Sequence, residues 1–273
     1  CNHTYIPLKQ LTREQVEQEL EQLTAAGSRV IVASKAFGVD SLDEEDLVRE
    51  VAQTHGIPVT MASEISKLYG LTRRTRTASI NASILPKMLN TANSTEESVR
   101  AVGIHVPLMI MRGDGGVMEL SEMRKRPVLT MLSGPAASVV GALMYLRASN
   151  GIYFEVGGTT TNIGVIKNGR PAVEYSIVGG HRTYISSLDV RVLGVAGGSM
   201  VRAGDHKLID VGPRSAHIAG MNYAVYTDCV EEPELEFFSP REGDPADYVA
   251  IRLKDGRRIT LTNSCAANVL GLV

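Results

Sequence analysis

An acid, two glycines and three threonines follow one another in the run Phe154-Glu155-Val156-Gly157-Gly158-Thr159-Thr160-Thr161-Asn162-Ile163-Gly164. One apolar strand ends near Glu155 and a second begins after the threonines. Glycine lets a backbone approach an anion closely, because no Cβ stands in the way. Successive amides at such a turn can cradle phosphate oxygens. Threonine hydroxyls add donors, and Glu155 can hold Mg2+ through water. The same residues also suit a plain β-hairpin with Gly-Gly at its turn.

Other glycine loops share this texture. Gly194, Gly197 and Gly198 lead into Ser199, a serine placed to cap whatever follows. Val211-Gly212-Pro213 reads as another turn. Met111-Arg112-Gly113-Asp114-Gly115-Gly116 follows an apolar run, and Ser133-Gly134-Pro135 opens a small-residue helix to about Leu146. Ser133 is its expected N-cap, with Pro135 in the first turn. Each loop alone could be a strand connection. Together they have the layout of a nucleotide cleft, with 114–116, 157–161 and 197–199 expected to face one another. His181, Arg182 and Asp189 offer a substrate-facing polar set, or in the case of Asp189 a turn carboxylate.

The elements that must position these loops are legible in outline. Thr12–Ala26 is a capped amphipathic helix closed by Gly27. Arg29–Ser34 is a strand, a helix follows from Ser41 or Asp43 to about His55, and Ile57–Met61 is a strand. That alternation predicts parallel pairing. Thr77–Ala92 reads as a helix with Pro86 as its kink or break, continued or followed by a helix over 94–102. After Asn150 the texture turns to short β runs: 152–156, 163–167, 172–177 and 183–192 form a meander, with Asn168-Gly169 as a hairpin turn. Strands follow at 205–209, 248–253 and 257–261. The acidic stretch 231–247 reads as a surface loop. Two lobes are expected, 1–150 and 151–273.

Composition bounds the function. The 273 residues are 44% apolar and 21% charged, so the chain is globular. A net charge of −2 excludes a general nucleic-acid or membrane-surface role. The Arg73-Arg74-x-Arg76 cluster reads as a solvated helix start or as structural ion pairs. Cys1, Cys229 and Cys265 have no metal spacing, which suggests reduced thiols and a cytoplasmic setting. No apolar run reaches the roughly 18 residues that span a membrane. The six histidines make no zinc array.

The order of these motifs resembles the hydantoinase/oxoprolinase family. Asp-Gly-Gly at 114–116, Ser-Gly-Pro-Ala at 133–136, Gly-Gly-Thr-Thr-Thr at 157–161, Leu-Asp-Val at 188–190, Gly-Gly-Ser at 197–199 and Val-Gly-Pro at 211–213 carry it, with Gly70–Thr77 and Ile80–Pro86. The resemblance spans about residues 10–270. It implies an α/β fold of actin-like ATPase (ribonuclease H-like) lobes, with mixed sheets flanked by helices. It further implies an ATP- and Mg2+-dependent hydrolase that opens cyclic amides such as hydantoins or 5-oxoproline, often with a second subunit. On that reading Asp114, Gly115, Gly116, Gly157, Gly158, Thr159, Thr160, Thr161, Gly197, Gly198 and Ser199 hold the nucleotide. Glu155 binds the metal, and Glu155 and Asp189 are catalytic.

Family members also carry a first phosphate loop near the N-terminus. Nothing before Arg29 offers it, so a partial chain is expected. Five positions depart from the pattern. Glu155 and Asn162 stand where aspartates are usual. Val195-Ala196 replaces Ala-Gly, and His217 replaces a glycine. Asn162 cannot serve as an ionised base or a charged metal ligand. These departures bear on ATP turnover rather than on the fold. They motivate the alternative of a non-catalytic actin-like module that binds nucleotide or a partner.

Overall fold

A computed structural model describes residues 2–147, 149–204, 206–228 and 232–272. Cys1, Asp205, Cys229 and Glu231, which figure in the sequence reading, lie outside the described residues. The chain forms two compact units. The first holds residues 1–145 and 172–189, the second 146–171 and 190–273.

The first unit opens with α1 (Arg13–Ala25), where the Thr12 hydroxyl accepts from the Gln15 amide at 3.3 Å. Next come β1 (Ile31–Ala33), α2 (Asp43–Thr54) and β2 (Val59–Met61). Four acids fill the first turn of α2, where the helix dipole favours negative charge. The alternation gives the parallel pairing expected of it, with Ile31 opposite Val59. Val16, Leu20, Ile31, Val51 and Ala52 form the core between these elements.

The short α3 (Ala62–Ile65) leads to α4 (Leu71–Ala101), a single helix of 31 residues. It starts earlier than Thr77 and runs through Pro86 rather than breaking there. Proline removes one backbone bond from a helix interior. Burial of Ala82, Leu85 and Ala92 on both sides holds the flanking turns. Among the described residues the arginine cluster makes no ion pair, and its side chains bind carbonyls and rings instead. Arg74 is 1% exposed and donates to the carbonyls of Leu68 and Lys35. The Arg73 guanidinium lies over the rings of Tyr175 and Tyr184, at 4.6 and 4.1 Å. Arg76 donates to the Arg182 carbonyl.

Strands β3 (Met109–Met111) and β4 (Val117–Glu119) pair antiparallel around the 112–116 loop. After α5 (Leu120–Lys125) comes α6 (Ser133–Leu146). Ser133 is its first helical residue rather than a cap, and Leu132 before it turns the chain at φ +60°.

In the second unit β5 (Gly151–Val156), β6 (Thr161–Lys167) and β7 (Arg170–Pro171) run antiparallel. Asn168 and Gly169 both take positive φ at the β6–β7 turn, as a type I′ hairpin demands. The expected meander stops there. The hairpin of β8 (Val173–Val178) and β9 (His181–Leu188) belongs to the first unit. Its Ile185 is buried with Ala62, Ile65, Ala78 and Val128, and its Tyr184 amide donates to Thr77 on α4 at 3.0 Å. The sequence showed a β run over 183–192. It could not report which core Ile185 enters.

The chain returns through β10 (Val190–Leu193), which pairs with β6. Then follow β11 (Ser199–Gly204), β12 (Lys207–Ser215), β13 (Asn222–Tyr223), β14 (Glu234–Phe238), β15 (Tyr248–Arg252), β16 (Arg258–Thr260) and α7 (Asn263–Val269). Their sheet order is β12-β11-β15-β16-β13, with β14 on β15. Two readings are corrected here. Gly212-Pro213 lies within β12 rather than at a turn, and the acidic stretch contains β14. Phe238 of β14 meets the ring of Tyr248 at 6.4 Å, and Tyr248 is buried with Met200 and Ala216. No helix among the described residues is long and apolar enough to cross a membrane.

Candidate functional site

The β5–β6 hairpin pairs Val156 with Thr161 and Glu155 with Asn162, leaving 157–160 as its turn. The Gly157 amide donates to the Thr160 carbonyl at 3.0 Å. The loop 194–199 docks against this turn. Gly197 and Gly198 donate to the carbonyls of Gly157 and Gly158, at 3.2 and 2.7 Å. The Thr161 hydroxyl donates to the Val195 carbonyl at 2.5 Å. From the other side, the Ser264 amide and hydroxyl donate to the Gly197 carbonyl, and the Asn263 amide group donates to that of Ala196.

Of the three loops expected to face one another, these two come together within the second unit, while 114–116 belongs to the first, and the 194–199 loop is used differently. The amides of Gly197 and Gly198 are committed to the 157–160 turn. Ser199 accepts from the Ala196 amide at 2.8 Å and so closes its own turn, and a strand rather than a helix follows it. A Cβ on Gly198 would meet the Tyr223 hydroxyl and lie 2.6 Å from the Gly158 carbonyl. Glycine here lets chain pack against chain.

The turn itself is open. Among the described residues the amides of Gly158, Thr159 and Thr160 donate to no backbone carbonyl, and the hydroxyls of Thr159 and Thr160 have no partner. Nothing lies within 4 Å of a Cβ built on Gly158. Three successive free amides and two hydroxyls form a concentrated set of donors, suited to an anion.

Beneath the turn, Glu155 Oε2 accepts from the Tyr153 hydroxyl and from Asn162 Nδ2, each at 2.9 Å. Asn162 is only 7% exposed, and its Oδ1 is buried without a partner. An unmet buried acceptor costs about 1–3 kcal/mol. A donor such as a metal-bound water would satisfy it. Among the described residues no cluster of three or more His, Cys, Asp or Glu could cage a metal. Mg2+ needs no such cage, since it keeps waters and binds through one or two carboxylates plus phosphates. Glu155 and Asn162 Oδ1 fit that role.

In the first unit the 112–116 loop contrasts with this turn. Asp114 Oδ1 accepts from the Gly116 amide at 3.0 Å, and Oδ2 pairs with Arg112 at 2.5 Å. The Gly113 amide donates to the Leu129 carbonyl, and its own carbonyl accepts from Leu188, both at 2.8 Å. A Cβ on Gly113 would collide with the Met131 carbonyl. Asp189, next to Leu188, is exposed, and its carboxylate has no partner among the described residues. His181 and Asp189 stand at opposite ends of β9, about 25 Å apart along an extended strand, so they form no common polar set. Sequence reasoning missed Tyr153, Tyr223, Asn263 and Ser264. Only the small polar run Thr262-Asn263-Ser264 hinted at them.

Comparison with known proteins gives these features a context. The acetophenone carboxylase gamma subunit of Aromatoleum aromaticum is 26% identical over 230 residues, which are 77% of this chain and 30% of that protein. A nucleotide-free structure of acetone carboxylase, solved in work on ATP-dependent acetone carboxylation, superposes with a TM-score of 0.61. The match has 21% identity and covers 75% of this chain and 30% of that one. The ATP-dependent caprolactamase from Pseudomonas jessenii gives 0.59 at 24% identity, covering 74% and 30%. The chain thus spans about a third of the relatives it matches. The sequence model of the hydantoinase/oxoprolinase family matches residues 74–273. Since that match takes in most of the chain, the protein belongs to the hydantoinase/oxoprolinase family.

Proposed function

We propose that the 157–160 turn binds nucleotide phosphate in an ATP-dependent enzyme of actin-like fold that opens cyclic amides of hydantoin or 5-oxoproline type. The observation that carries this is the set of unpartnered donors at Gly158, Thr159 and Thr160. The ATP-dependent caprolactamase among its structural relatives supports a ring amide as the substrate class. A relative named as a gamma subunit supports a second subunit.

ATP is a substrate in this scheme. Its γ-phosphoryl passes to the amide oxygen as the bond to ADP breaks; water adds to the activated carbon, the ring C–N bond breaks as its nitrogen takes a proton, and a second water hydrolyses the resulting acyl phosphate to carboxylate and phosphate. The protein's task is positioning and charge stabilisation. The turn amides and threonine hydroxyls hold phosphate oxygens. Glu155 and Asn162 Oδ1 would hold a Mg2+ ion through its waters, and the ion would supply screening of phosphate charge. Gly197 and Gly198 act indirectly, by fixing the turn through its carbonyls. Asp114 keeps the 112–116 loop in shape through Gly116 and Arg112. Asp189 is proposed as a catalytic carboxylate because no described residue engages it.

A second reading, nucleotide binding without turnover, is favoured by one observation: Asn162 makes the pair beneath the turn carry a single negative charge. Assays of ADP release with hydantoin, 5-oxoproline and larger lactams separate the two. Substrate-stimulated release supports the enzyme. Tight ATP binding with no release under any ring substrate supports the second reading.

A further inference from the structure

We propose that Tyr226 is the platform on which the nucleotide base stacks, with the Tyr223 hydroxyl holding the sugar or the inner phosphate between it and the turn. The inference rests on the phosphate reading of 157–160 and extends it to recognition of the base.

The geometry is built outward from Gly198. Its amide holds the Gly158 carbonyl at 2.7 Å, so it abuts the phosphate turn. On its Cβ side stands the Tyr223 hydroxyl. Tyr223 is half-buried, and its hydroxyl has no hydrogen-bond partner among the described residues. Its backbone is fixed, since Tyr223 pairs with Thr260 in the sheet. The next ring is Tyr226, 5.6 Å away and inclined at 48°, on the short helical turn Ala224–Tyr226. The Thr227 amide donates to the Ala224 carbonyl and the Thr227 hydroxyl to that of Tyr223, which tie this turn down. Yet the Tyr226 ring is 79% exposed.

Free amides and hydroxyls at 158–160, a free phenol at 223 and a bare ring at 226 thus follow one another within one unit. Donors for charged oxygens come first, then a donor for a hydroxyl or phosphate, then a π-face. That is the polarity order of a nucleoside triphosphate. Every base has a π-face, and stacking on an aromatic side chain needs no sequence-like readout. A tyrosine exposed to this degree on a restrained backbone loses little entropy on accepting a base. Phe154 is also exposed, at 61%, but it stands on the strand face opposite Glu155.

The test uses calorimetric titration of the full chain with ATP and, separately, with inorganic tripolyphosphate. Tyr226→Ala is expected to weaken ATP binding about 5- to 150-fold, the worth of one base stack. It should leave tripolyphosphate affinity unchanged, and Tyr226→Phe should restore ATP affinity. Phe154→Ala should alter neither ligand. Thr159→Val, by contrast, should weaken both. Unchanged ATP affinity in Tyr226→Ala, with Thr159→Val still weakening both ligands, overturns the stacking proposal and leaves the phosphate turn standing. Equal loss of ATP and tripolyphosphate in Tyr226→Ala overturns it too, because the ring would then act on the fold. If the wild type binds neither ligand, the phosphate reading falls and this proposal with it.

Discussion

Two glycine loops in this chain share a composition and differ in how their polar groups are used. In the 112–116 loop, Gly113 hydrogen-bonds on both sides through its amide and carbonyl, and the Asp114 carboxylate is held by Gly116 and Arg112. In the 157–160 turn, three amides and two hydroxyls have no partner among the described residues. Glycine allows close approach in both. In the first it is the protein's own Met131 carbonyl that approaches, and in the second the space is vacant. A glycine-rich motif therefore marks a tight backbone, and the hydrogen-bond inventory decides whether that backbone serves the fold or a ligand.

The sharpest way to break the comparison is to add one methyl group to each loop. Gly113→Ala drives a Cβ into a backbone carbonyl that is anchored by neighbouring bonds, so it should cost about 3 kcal/mol or more, by overpacking and by loss of the Leu129 and Leu188 bonds. Chemical denaturation would register this as a fall in the unfolding midpoint of the first unit. A wild-type midpoint would show that the loop can yield and that the contrast is overstated.

Next in size is the effect of Thr159→Val on ligand binding. Losing a hydrogen bond to a charged group costs about 1.5–3 kcal/mol, so ATP affinity should fall roughly 10- to 150-fold. The melting temperature should stay put, since the hydroxyl has no partner among the described residues. A lower melting temperature with unchanged ATP affinity would reverse the roles assigned to the two loops.

Glu155→Gln sharpens the comparison further, because it removes charge while keeping shape. Nucleotide affinity should drop several-fold in Mg2+ and change little in EDTA. Equal losses under both conditions would restrict Glu155 to its bonds with Tyr153 and Asn162.

A smaller effect concerns the sheet behind the open turn. Hydrogen bonding to Arg202 holds the Asp247 carboxyl below its ordinary value, with burial opposing and the arginine charge assisting. Arg214 does the same for Asp244. Both groups are depressed in the folded state. Their stabilisation is therefore complete above the ordinary aspartate value near 3.8 and is lost as pH falls through the lower folded values. Thermal melts should show stability declining below about pH 4. Asp247→Asn should flatten that decline and remove at most about 1 kcal/mol at neutral pH. An identical pH profile in the variant would assign the acid sensitivity elsewhere.

The smallest change is Gly158→Ala. Its Cβ would enter open space and its φ is not left-handed, so stability should shift by no more than about 0.5 kcal/mol. ATP affinity should still fall, because the methyl occupies the approach of the phosphate. Unaltered affinity would place the ligand off this turn.

The sequence by itself determined local conformation wherever the chemistry is local. Thr12 caps its helix, Asn168-Gly169 takes two positive φ values, and the β-branched runs at 31–33 and 59–61 pair in parallel. It also determined the β5–β6 hairpin and the glycine-threonine content of its turn, because turn chemistry depends on a few adjacent residues. It was silent where an outcome depends on a distant partner. Pro86 continues a helix because Ala82, Leu85 and Ala92 are buried around it. The β8–β9 hairpin leaves a meander because Ile185 completes another core. The arginines of 73–76 bind carbonyls and rings that lie far along the chain. Above all, only the tertiary structure decided which glycine loop keeps its donors free. Whether an amide at 113 or 158 is satisfied depends on which carbonyl the fold brings opposite it, and no spacing within either loop encodes that.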